Sequence, residues 1–277
     1  MTVRIALAQR AAIDNHDVNL GGMLSAMEEA AQHGAQLFCV PELALTPFFP
    51  QHPQHARAQA YAESIPGPTT DRVAAKAREL GVATVFNLYE RAGDRYFDSS
   101  PVIDADGTIL GVTRMVHITD YACFHERAYY AEGDRGAPVY DTVVGRVGVA
   151  ICYDRHYPEY MRALGVGRAE LVVIPQAGTP DEWPDGMYEA EVRTAAFQNG
   201  YFAALCNRVG HEERLTFAGE SFVVSPTGEV LARGKRLDED LVIVDLDLSA
   251  CAASPARTLF WNDRRPELYG DWLHPRS

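Results

Sequence analysis

Cys152 follows Val147-Gly-Val-Ala-Ile151, where Val147, Val149 and Ile151 alternate with small residues. That pattern reads as a short buried strand whose backbone can be approached closely. Asp154, Arg155 and His156 cannot continue the run, and Pro158 suits the first turn of a helix through Glu159, Met161 and Leu164. A sharp strand-to-helix junction holds a side chain out of the sheet and aims backbone N–H groups at whatever binds beside it. A cysteine there is placed to be a nucleophile, although free cysteine is also a common small buried hydrophobe. Glu42 follows a second apolar run, Ala35-Gln-Leu-Phe-Cys-Val40, cut by Pro41. Glu126 lies in a loop among Tyr121, Phe124, Tyr129 and Tyr130. Taken singly, a glutamate is most often solvated. Beside a thiol it is a base, and a thiol needs one because the thiolate is the attacking species.

The elements that must position these groups alternate in type. Thr2 to Gln9 reads as a strand, Asp17 to His33 as a helix stopped by Gly34, and Ala35 to Val40 as a second strand. The loop 43–68, rich in Pro, His and aromatic residues, suits either a pocket wall or a long connection. Thr70 to Leu80 follows as a helix and Val82 to Tyr89 as a strand. Ser100 to Asp104 and Thr108 to Ile118 form a hairpin around Asp106-Gly107. Leu171 to Ile174 is a buried strand stopped by Pro175, and Tyr188 to Asn199 is helical. Strands are expected at Tyr201 to Cys206, Glu220 to Val224, Glu229 to Ala232 and Leu241 to Leu246. Helix–strand alternation early and hairpins late point to an α/β (α+β) chain with two mixed sheets packed face to face and helices outside. With no linker or repeat, residues 1–277 read as one domain.

Composition excludes several classes of function. The net charge is −13, and of the 25 basic residues only Lys76 and Lys235 are lysines. Such a balance argues against an extended phosphate-binding surface, and so against nucleic acid. No apolar run approaches the ~20 residues needed to cross a bilayer. Five scattered cysteines show no disulfide or zinc spacing, so a reducing cytoplasm is expected. The nine histidines include no HExxH, and His125-Glu126 and His211-Glu212 lack a second ligand at helical spacing. No metal or cofactor is expected; a small-molecule substrate is.

The chain resembles the carbon–nitrogen hydrolase (nitrilase) family nearly end to end. It is most similar to the branch of β-ureidopropionase, N-carbamoylputrescine amidase and N-carbamoyl amino-acid amidohydrolases. The resemblance rests on Val40-Pro-Glu-Leu43, Val102-Ile-Asp-Ala-Asp-Gly107, His117-Ile118 with the loop to Gly133-Asp134, and Val147-Gly-Val-Ala-Ile-Cys-Tyr-Asp154. It continues through Asn207-Arg-Val-Gly210, Ser225-Pro-Thr-Gly-Glu229 and Asp263-Arg-Arg-Pro-Glu-Leu-Tyr-Gly270. It implies a four-layer α-β-β-α sandwich and a Glu-Lys-Cys catalytic set with a second glutamate beside it. Carried over by position, Glu42 is the general base, Cys152 the nucleophile, Glu126 the supporting glutamate, and the Tyr153 backbone N–H an oxyanion donor.

One position departs from the family. Where it reads Arg-Lys-Met-His-Ile, this chain reads Arg114-Met-Val-His-Ile118, so Met115 holds the lysine slot. Lys76, in a predicted helix, and Lys235, in a late turn, are not replacements. Arg114 is adjacent but, facing the other side of a strand, needs a bulge or register shift to enter the pocket. Two readings follow: a thiol amidohydrolase with a substitute cation or a cationic substrate, and a non-catalytic or weakly active paralogue that binds a small molecule or partner. Substrate contacts are expected from Gln176, Trp183 and Tyr188, with Arg114 as a further candidate. The aromatic tail, about 255–277 and including Trp261, Leu268, Tyr269, Trp272 and Leu273, is expected at a homodimer or larger interface.

Overall fold

The computed structural model describes residues 2–273. Its first βαβ unit runs from strand Thr2–Gln9 through helix His16–Gln32 to the parallel strand Leu37–Cys39. Helix Pro68–Leu80 then leads to a third parallel strand, Ala83–Val85. The second unit repeats the design: strand Gly145–Val149, helix Pro158–Val166, strand Leu171–Gln176, helix Met187–Asn199 and strand Phe202–Asn207, all three strands parallel. Antiparallel strands complete each sheet, giving seven strands in the first and six in the second.

Side-chain alternation decides how the sheets stack. Leu37, Cys39, Val147, Val149, Leu171 and Val173 point into one shared core between the sheets. Their neighbours point outward. Phe38 and Val40 pack under Leu20, Met23 and Val73 of the first helix pair. Val172 and Ile174 pack under Met161, Leu164 and Val192 of the second. The result is the four-layer α-β-β-α sandwich, with each fully buried Leu or Met contributing ~1.5–3 kcal/mol. Helix ends obey their local signals: Asn15 caps Val18 N–H at 3.2 Å, and Gly81 and Gly200 take the left-handed conformation after their helices.

Three expected elements are corrected. The single strand expected from Val82 to Tyr89 is two, Ala83–Val85 and Leu88–Ala92, paired with different stretches of strand Arg95–Ile103. The strand at Leu171 does not stop at Pro175 but runs to Gln176, with Pro175 opposite Cys206. Past Val173 the neighbouring strand Gly145–Val149 has ended, so a missing N–H is tolerated as at an edge. The hairpin strand expected to reach Ile118 ends at Arg114. There Val116 and His117 turn their N–H groups to the Asp154 carboxylate, at 3.2 and 3.0 Å, instead of to a neighbouring strand. The tail forms helix Pro266–Leu273, and residues 274–277 of the expected interface lie outside the described residues.

Candidate active site

Cys152 leaves strand Gly145–Val149 by way of Ala150 and Ile151 and opens a tight 3-10 turn, Cys152–His156, before helix Pro158–Val166. Its φ is +42°, a left-handed conformation that costs a non-glycine residue ~1–3 kcal/mol. The turn is held from several sides. Asp154 N–H donates to Ile151 C=O at 2.9 Å, and Arg155 Nη1 donates to the Cys152 carbonyl at 2.9 Å. Tyr153 N–H stands in the first turn, where no carbonyl within the turn lies behind it. The Cys152 thiol is buried, and the Ala177 N–H is directed at it.

Glu42 reaches the same place from the other sheet. Strand Leu37–Cys39 ends three residues before it, and its carbonyl accepts from Arg208 Nη1 at 3.0 Å. Its carboxyl is completely buried, and no backbone amide, amide side chain or cation donates to it. What faces it is the Cys152 thiol and two further carboxyls, Glu126 and Asp98. Glu126, also completely buried and facing the Thr119 N–H, projects from the turn Glu126–Ala128. Asp98 comes from strand Arg95–Ile103 and accepts from Asn87 Nδ2, while Asn87 Oδ1 takes the Leu43 N–H at 2.7 Å. Asn87 therefore ties the Asp98 strand to the backbone beside Glu42.

Such crowding fixes protonation. Burial, then Asp98 and Glu126, hold Glu42 well above the ordinary carboxylate range. Burial and Asp98 do the same to Glu126, and burial pushes Asp98 up to about 7. A carboxyl that faces only another carboxyl and a thiol is satisfied by carrying a proton. Glu42 and Asp98 are close enough to share one. Burial, Glu42 and Glu126 raise the Cys152 thiol well above its usual value, against the lowering effect of Arg155.

Met115 stands directly opposite Asp98 in register, its N–H donating to the Asp98 carbonyl at 2.9 Å. Opposed residues of an antiparallel pair share a face, which puts Met115 on the carboxylate side, fully buried. Arg114 points the other way, and its expected place in the pocket is corrected. Its guanidinium bonds Glu90 (Nη2–Oε1 2.6 Å, Nε–Oε2 2.8 Å) and Asp134 (Nη1–Oδ1 2.8 Å) and lies 3.9 Å from the Phe97 ring centroid. Alternation along the strand dictates this, and the register at this point has no bulge to undo it.

The rim is formed by the turn 119–126 and the segment after Gln176. Glu182 accepts the hydroxyls of both Tyr121 and Tyr188, and the Thr179 N–H at 3.2 Å. Burial and Glu182 keep protons on both tyrosines at any ordinary pH. Trp183 is half-exposed and sets its ring edge-on to Tyr121 and His156. Gln176 is buried behind Arg155, its Oε1 accepting from Arg155 Nη1 at 2.7 Å.

The structure thus brings Glu42, Glu126 and Cys152 together, with Met115 on the carboxylate side and Arg114 turned away. Sequence reasoning missed Asp98, Glu182 and Arg155. Asp98 carried one usable signal, an acid on the inward-facing side of a strand; Arg155 stood three residues from Cys152 in a helical turn. Glu182 gave none.

Residues 4–256 match the family pattern described as carbon-nitrogen hydrolase. The chain is 32% identical over 281 residues to N-carbamoylputrescine amidase of Solanum lycopersicum, covering 96% of this chain and 93% of that one. A carbon-nitrogen hydrolase crystal structure from Helicobacter pylori G27 superposes with a TM-score of 0.93 at 27% identity over all of both chains. An amidase variant from Nesterenkonia sp. AN1, which shows Michael addition of acrylamide at its active-site cysteine, superposes at 0.83 with 28% identity over 98% and 100% of the chains. With these likenesses running the length of a sandwich of the same architecture, the chain belongs to the carbon–nitrogen hydrolase family and is a hydrolase of carbon–nitrogen bonds.

Proposed function

We propose that this enzyme hydrolyses an amide or N-carbamoyl compound through a thioester on Cys152, with Glu42 as the base. One observation carries the reading: a strained, buried thiol faces the buried carboxyl of Glu42, which no cation neutralises, with a second buried carboxyl beside it. In the first half, Glu42, once ionised, takes the thiol proton as sulfur bonds to the substrate carbonyl carbon, and the Tyr153 N–H donates to the developing oxyanion. Collapse breaks the carbon–nitrogen bond, and Glu42 returns the proton to the departing ammonia or amine. Water then gives a proton to Glu42 and its oxygen to the thioester, releasing acid and thiol.

The rim supports a substrate carrying a cationic tail. Glu182 is an acidic side chain ringed by the hydroxyls of Tyr121 and Tyr188, and a cation there would offset its Coulombic effect on the buried Glu126. The similarity to N-carbamoylputrescine amidase points the same way. Met115 in the lysine slot favours a second reading, a binding protein without turnover. A screen of carbamoyl amines, carbamoyl amino acids, amides and nitriles, followed by mass spectrometry of the Cys152 adduct, decides between them. Turnover that Cys152→Ala abolishes with the fold kept supports hydrolysis; a Cys152→Ala protein that is fully active, or a wild type that binds but never turns over, refutes it. Glu182→Gln should raise KM about tenfold for a carbamoylated diamine and leave a neutral amide unaffected.

A further inference from the structure

We propose that Arg155 supplies the positive charge which the Cys152 thiolate and its oxyanion do not receive from position 115. The inference rests on Cys152 being the nucleophile. Among the described residues, Lys76 is held by Glu28 and Glu79, and Lys235 faces Asp240. Arg114 commits Nε, Nη1 and Nη2 to carboxylates on the far face of its strand. Arg155 is different on each count. It belongs to the same turn as Cys152, its side chain is only 2% exposed, and Nη1 bridges the Cys152 carbonyl and Gln176. Neither Nη2 nor Nε donates a hydrogen bond.

A guanidinium has five N–H donors, and leaving them unmatched in a dry site is costly. Two partial compensations are present. The guanidinium lies 4.5 Å from the Tyr188 ring centroid, and Glu191 Oε2 is 3.6 Å from Nε, too far for a hydrogen bond. Glu191 is itself bonded to His156 Nδ1 at 2.7 Å. What remains is a buried cation with spare donors, fixed to the backbone of the nucleophile. On the thiol, Glu42 and Glu126 act to disfavour ionisation and Arg155 acts to favour it. The groups packed around it from the rim, Tyr121 and Tyr188, keep their protons and so do not titrate against it. Negative charge on sulfur, or on the oxygen of a tetrahedral intermediate, completes the electrostatics of a site otherwise dominated by carboxyls. Arg155 acts here through space and through the turn it holds, as a positioning residue.

The test is peptide-resolved alkylation of Cys152 by iodoacetamide as a function of pH, in wild type, Arg155→Gln, Met115→Lys and the double variant. Arg155→Gln should move the inflection up by about one unit and slow labelling at pH 7 about tenfold, with circular dichroism unchanged. Met115→Lys should recover most of that loss in the Arg155→Gln background and add little in wild type. A residue needed only for packing would not be rescued by a lysine elsewhere. An unchanged inflection in a folded Arg155→Gln protein overturns the role while leaving the hydrolase standing, as does Met115→Lys giving equal gains in both backgrounds. Should Arg155→Gln not fold, Arg155→Lys keeps the charge and should label within about twofold of wild type; a tenfold loss there overturns the proposal. A wild-type Cys152 that resists labelling at every pH while Cys123 reacts removes the nucleophile itself, and the role with it.

Discussion

Under the proposed mechanism, Asp98 changes how Glu42 works as a base. It raises Glu42 by charge and by sharing a proton, while its own carboxyl titrates at about 7. The pair therefore releases a proton near or above neutrality, and hydrolysis should rise with pH through that range. Asp98→Asn removes the charge and keeps the shape. We expect the acid limb of kcat/KM to move to lower pH, and an unmoved limb would separate Asp98 from the proton chemistry. That Glu42, Glu126 and Cys152 would meet was legible from motif context, with Glu42 and Cys152 after apolar strands and Glu126 in an aromatic loop. Asp98, Arg155 and Glu182 were not, since each reaches the site by tertiary placement and belongs to no spacing rule.

Among the elements, the segment 114–117 is clamped from two sides. Asp154 in the turn Cys152–His156 receives the Val116 and His117 N–H groups and His117 Nδ1, the last at 2.7 Å. From the other side Gly133 N–H donates to the Met115 carbonyl at 2.8 Å. A Cβ on Gly133 would stand 2.4 Å from the Arg114 carbonyl oxygen and 2.7 Å from that of Met115, so no side chain fits without moving that backbone. Gly133→Ala should lower turnover at least tenfold and cost ~1–3 kcal/mol of stability, read by denaturant titration. A variant with wild-type kcat would show that the clamp does not register the site. The strands and helices around this segment were readable from periodicity and caps. The early end of the hairpin strand was not, because it depends on a carboxylate that lies close only in the folded chain.

For the whole molecule, the buried carboxyls oppose stability above their unfolded-state pKa. Glu126 is raised on folding, so the unfolded chain loses its proton first as pH rises, and stability contributed below the unfolded pKa is lost through the folded one. Glu126→Gln should therefore raise Tm at pH 8 and leave it nearly unchanged at pH 4. Equal shifts at both pH values would mean packing, not charge, is responsible. Such a gain would come with reduced turnover, the usual trade at a strained site. On the surface, Leu259, Phe260, Trp272 and Leu273 are exposed close to one another in sequence, and Phe260 meets Phe197 edge-on. We expect these to be covered in a homodimer; light scattering that gives only about 30 kDa at micromolar concentration would overturn this.

The ion pair between Arg114 and Glu90 sets the phase of the hairpin. Inserting one residue between Ile103 and Ile109 would slide the second strand by one position and present a guanidinium, not a thioether, to the buried carboxyls. The same slip would strand Glu90, buried with no cation, at a cost of ~3–5 kcal/mol. An interaction on the far side of the sheet thus acts as a lock on the chemical identity of the near side. Any evolutionary route that restores a cation here by shifting the frame, instead of replacing Met115, must first dispose of Glu90.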